Sequence, residues 1–135
     1  MLIKMMWIAI LALTSPRTVQ GSIFGAHDKW NPEPALACSG KPVDDRTLVI
    51  ALKTGPCGAQ YLVCNPHGWQ CVVAVRLEWG PVHRGLDMTQ GVADSIGFSG
   101  NGPVLYQHLP WLGLTKKAPR SAAKAKRVHR RVTRS

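Results

Sequence analysis

Two of the three carboxylates in the stretch EWGPVHRGLDMTQGVADSIGF, residues 78–98, mark it as the place where this chain could do chemistry. Glu78 stands ahead of a Gly-Pro corner, and Asp87 sits between the apolar Leu86 and Met88. Apolar surroundings favour the protonated form of a carboxyl, which is the form a general acid needs. Asp87 also has a plain structural reading. A helix starting near Met88 or Thr89 leaves free backbone N–H groups that its oxygens can cap. His83 lies four residues before Asp87 and could reach the same site, or it is a solvated loop histidine.

The four cysteines, Cys38, Cys57, Cys64 and Cys71, are an even set in a short chain, and with an export signal they favour disulfides. Three pairings are open. Cys64 and Cys71 flank NPHGWQ, a turn between two β runs, and opposed strand positions approach disulfide reach. Cys64–Cys71 with Cys38–Cys57 is therefore preferred. A four-thiolate zinc site is the weaker alternative, because no C-x2-C pair is present; no metal and no cofactor are expected.

The positioning elements begin after a leader. MLIKMMWIAILALTSPRTVQGS has Lys4, an apolar run from Met5 to Leu13 and then small polar residues, the layout of a secretory signal peptide. Val19 and Gly21 suit the −3 and −1 cleavage positions, so residues 1–21 are assigned to it. The apolar run is about ten residues where about 20 are needed to cross a bilayer, so no transmembrane segment is expected after cleavage. Residues 22–36 read as a linker. RTLVIAL (46–52), AQYLVCN (59–65), QCVVAVRLEW (70–79) and VLYQHL (104–109) read as strands, and TQGVADSIGF (89–98) as a short helix capped by Thr89 and ended by Gly97. In the third run Cys71, Val73, Val75 and Leu77 share one face, and Val72, Ala74, Arg76 and Glu78 the other. Short strands with Gly/Pro turns at intervals of about ten residues make the chain mainly β, a small barrel with one short helix.

The net charge of +10 is local. Nine Lys/Arg and no acid follow Thr115, whereas residues 22–115 hold six Lys/Arg against seven Asp/Glu. The domain itself is thus no basic nucleic-acid binder, and no specific nucleic-acid partner is expected. The tail, 113–135, reads as disordered, cationic and suited to anionic envelope polymers.

ALKTGPCGAQYLVCN (51–65), EWGP (78–81), GLDMTQGVADSIGF (85–98) and GNGPVLYQHL (100–109), in that order, resemble the rare lipoprotein A (RlpA)-like domain family. That family is related to barwin and expansin domains, and the resemblance covers about residues 37–109, within a domain set at 37–112. It implies a six-stranded double-psi β barrel. Family members that act on peptidoglycan are lytic transglycosylases, in which the sugar's own C6 hydroxyl attacks and a single carboxyl serves as acid and then base. Two carboxylates, as in ordinary glycosidases, are then not required.

The resemblance puts Asp87 at the family's essential aspartate, with Glu78 in support. Two departures stand against it: the motif histidine is Leu52, and the Asp-Arg pair before Gly-Pro is Glu78 and Trp79. Trp79 offers a flat face for a sugar ring, or else it is a core aromatic. Trp79, His83, Arg84 and Thr89 make up the expected substrate-binding set. The expectation is an exported protein, secreted or in the periplasm or cell envelope, that acts on peptidoglycan by lytic cleavage of glycan strands. The alternatives are a non-catalytic, expansin-like polysaccharide-binding module and a structural wall- or phage-associated module.

Overall fold

A computed structural model describes residues 15–25, 35–80 and 85–121. Six strands run in chain order: β1 (Arg17–Ile23), β2 (Val49–Leu52), β3 (Gln60–Cys64), β4 (Cys71–Trp79), β5 (Leu86–Met88) and β6 (Gly102–His108). One helix, α1 (Gln90–Ile96), lies between β5 and β6, and a 3-10 turn follows at Pro110–Leu112. The strands close a barrel in the order β1-β5-β2-β4-β3-β6. Two pairings are parallel, β1 with β5 and β2 with β4, and the rest are antiparallel. The expected mainly β, six-stranded barrel with one short helix is the fold, and the barrel is closed with mixed strand directions.

Alternation decides which side chains fill it. Ile50, Leu52, Tyr61, Val63, Ala74, Leu86, Met88 and Val104 meet inside the barrel, and Val92, Ala93, Ile96 and Phe98 of the helix and its exit join them. On the outer wall Val49, Val75 and Leu77 are covered by Leu36 and Val43 from the loop before β2. All four residues of β2 are therefore buried, which is why VIAL shows no polar face. Cys64 and Cys71 are register partners of the β3–β4 hairpin and are bonded, and Cys38 is bonded to Cys57. The preferred pairing is the observed one, and the zinc alternative falls with it.

Two expected boundaries move. β1 occupies residues assigned to the leader and linker: Val19 packs against the interior cluster, and the strand pairs with both β5 and β6. A cut after Gly21 would remove five of its seven residues and open the barrel. At the other end, residues 113–121 are not a free tail. Thr115 N–H donates to the Gly58 carbonyl at 2.9 Å, Leu48 N–H to the Pro119 carbonyl at 2.8 Å and Ser121 N–H to the Arg46 carbonyl at 2.7 Å. The composition there is polar, but backbone pairing needs no apolar side chain. Among the described residues no helix is long and apolar enough to cross a membrane.

Candidate functional site

Asp87 is the middle residue of the three-residue β5, whose neighbours Leu86 and Met88 point inward. Alternation sends Asp87 to the outer wall, partly exposed and engaged by neighbouring groups. Its register partners are Ser22 on β1 and Ala51 on β2, and Ala51 is in turn paired with Glu78 on β4. Ser22, Asp87, Ala51 and Glu78 thus form one lateral row across four adjacent strands. Asp87 and Glu78 are two strand spacings apart, about 10 Å between backbones. Ser22 is buried, and its Oγ is the one buried side-chain polar atom without a hydrogen bond among the described residues.

Glu78 reaches that row through an irregularity in β4. The register shifts between Ile50/Arg76 and Ala51/Glu78, leaving Leu77 as an extra residue opposite β2. The bulge reverses the alternation. Glu78 turns outward with Leu77, and Trp79 comes onto the inward side with Arg76. The Glu78 carboxylate accepts the Ala37 N–H at 3.2 Å and the Trp79 N–H at 2.8 Å. Both oxygens therefore clasp backbone, tying the Cys38 loop to the end of β4.

Arg76 is the residue that motif reading passed over. It is fully buried, and it lies in the inward line of Val72 and Ala74 at the barrel end where β2 and β4 finish. Its Nε and Nη2 donate to the Leu52 carbonyl at 3.2 and 3.0 Å, and Nη1 donates to the Gly55 carbonyl. Trp79 lies flat on it, with the guanidinium carbon 3.5 Å from the ring centroid. The indole is nonetheless 50% exposed, so one face is fixed on the cation and the rest meets solvent. Burial pushes the Arg76 pKa down, with Tyr61 and Glu78 opposing. The available signal was an arginine at strict alternate spacing with interior residues of a strand.

The same end gathers rings. Tyr61 is edge-on to Tyr106 at 5.8 Å and tilted against His108 at 5.1 Å. Burial raises the Tyr61 hydroxyl pKa above its ordinary 10.0. Leu52, which stands where the motif that the sequence resembles has a histidine, is 4% exposed and belongs to the interior cluster. His108, on β6, is the register partner of Tyr61 and packs against its ring.

The expected substrate-binding set is thereby split. Trp79 is exposed at the rim. Thr89 is corrected: it is fully buried, its hydroxyl donates to the Thr47 and Val49 carbonyls and receives the Val49 N–H at 3.3 Å, and no side-chain cap bond is made. His83 and Arg84 lie outside the described residues.

No family model matches the sequence, and no curated protein matches it. Solved structures do. Cerato-platanin 2 from M. perniciosa superposes with a TM-score of 0.52 at 18% identity, covering 73% of this chain and 100% of its own. Cerato-platanin 3 from M. perniciosa gives 0.51 at 17%, covering 69% and 94%. The Streptomyces papain inhibitor gives 0.54 at 15%, covering 70% and 94%. These neighbours share the double-psi-like barrel fold. At such identities the likeness concerns fold alone.

Proposed function

We propose that this chain is a non-catalytic polysaccharide-binding barrel that holds peptidoglycan glycan strands against the rim formed by Trp79. One observation carries the reading: a half-exposed indole whose inner face is fixed on a buried guanidinium. Sugar rings stack on aromatic faces through their C–H side, and an indole fixed in advance loses little side-chain freedom on binding. Binding rather than cutting is favoured by the residues around it. Leu52 is buried where the family has a histidine, and both Glu78 oxygens are held by backbone N–H groups. Asp87 faces the outer wall, whereas Trp79 lies on the inward side of β4.

Export fits this role, because both disulfides need an oxidising compartment. The cationic C-terminal residues would add attraction to anionic wall or envelope polymers. The test is to incubate the purified chain with peptidoglycan sacculi, sediment them and examine the soluble fraction by mass spectrometry. The expected outcome is protein in the pellet and no 1,6-anhydro-muropeptides. Anhydro products that vanish in Asp87→Asn would replace this reading with lytic cleavage.

A further inference from the structure

The 3-10 turn after β6 and the residues that follow it hold apolar side chains out in solvent. Trp111 is 66% exposed, Leu112 44% and Leu114 66%. The backbone beneath them is firmly tied. Leu109 N–H donates to the Gln60 carbonyl at 2.8 Å, the Gln60 side-chain amide to the Leu112 carbonyl at 2.9 Å, and Leu114 bridges Ala59. Thr115 N–H closes the segment onto Gly58. Exposure here is imposed by the fold and is not a loose end of chain.

Cations follow directly. Lys116 and Lys117 are exposed, and the chain from Ser95 to Ser135 contains no Asp or Glu. Arg17, at the start of β1, and Lys53, just past β2, are exposed at the same end of the barrel. An apolar tip beside positive charge, with no acid on the downstream chain, matches a surface that is negative at its face and apolar beneath. That surface is an anionic bilayer. An indole suits the headgroup level, and neither a few apolar side chains nor a few lysines suffice alone.

We propose that residues 110–117 dock on anionic lipid, with Trp111, Leu112 and Leu114 entering the interface and Lys116 and Lys117 meeting the headgroups. This stands apart from the glycan reading and does not depend on it. The test is co-sedimentation of the full chain with phosphatidylcholine vesicles, with and without phosphatidylglycerol. The parent is compared with a triple variant (Trp111→Ser, Leu112→Ser, Leu114→Ser) and with Lys116→Gln/Lys117→Gln. Residues 1–14 are common to all, and contributions add in free energy, so partition ratios isolate the patch.

The expected result is binding strengthened by phosphatidylglycerol and weakened at least about tenfold in the triple variant, with melting temperature and sedimentation with sacculi unchanged. The lysine variant should lose the dependence on phosphatidylglycerol in part. Equal partition of parent and triple variant would overturn the proposal, since charge alone would then explain binding. So would indifference to phosphatidylglycerol, or a triple variant that keeps its lipid binding and loses only its hold on sacculi.

Discussion

Arg76 ties together the end of β2, the Gly55 turn and the Trp79 indole, and it does so from inside the barrel. Truncating it removes three donated hydrogen bonds and leaves two carbonyls and a void behind. Arg76→Ala is therefore expected to lower stability by about 3 kcal/mol in urea unfolding. Asp44 shows the opposite kind of residue, partly exposed and modest in effect. Its carboxyl sits below the ordinary 3.8, chiefly because it accepts the Arg46 backbone N–H, with burial opposing and the Arg46 and Arg120 cations assisting. A depressed folded value stabilises above pH 3.8, and that contribution is lost as pH falls through the folded value. Acid unfolding of Asp44→Asn should lack this component, worth less than about 1 kcal/mol after solvent screening.

At the scale of elements, α1 rests on the loop before β2 at a contact that only glycine allows. A Cβ on Gly91 would lie 2.8 Å from the Thr47 carbonyl oxygen, and the Gly91 N–H donates to the Asp45 carbonyl at 2.7 Å. Gly91→Ala should therefore destabilise by about 1–3 kcal/mol despite its better helix propensity, as read by thermal unfolding. Four of the six strands were legible: β4 alternates Val72, Ala74, Arg76 against Val73, Val75, Leu77, and the structure keeps those faces up to Leu77. Glu78, read with Arg76, turns to the other side, and the three-residue β5 was too short to read as a strand. The bulge after Arg76 was not legible, because an extra residue is defined only against the register of β2. It is also what brings Trp79 onto Arg76, so the platform could not be assembled from sequence spacing. β1 was hidden for another reason. Its Thr18 and Gln20 are exposed, its Gly21 is small to admit Val104, and the polar run looks like the end of a leader.

For the whole molecule, barrel closure sets where processing can fall. If the exported chain is cleaved, its N-terminus must precede Arg17, and intact-mass measurement of the secreted protein should place it there. A mature chain starting at Ser22 would lose every β1 partner of β6 and the Gly21–Leu86 pair with β5, and would contradict the closed barrel. The segment 113–121 was likewise misread as tail, because its attachment runs through carbonyls and N–H groups that leave no mark on composition. The barrel end where β2 and β4 finish carries Trp79 at its rim, with Asp87 around the outer wall, and is the surface proposed to hold glycan.

Titration calorimetry with soluble peptidoglycan oligosaccharides is the most direct test of the proposal that Trp79 is the sugar platform. The parent chain and Asp87→Asn should bind alike, and Trp79→Ala should bind at least about tenfold more weakly, a difference of about 1.4 kcal/mol. Unchanged affinity in a folded Trp79→Ala protein, or loss of binding in Asp87→Asn alone, would contradict it.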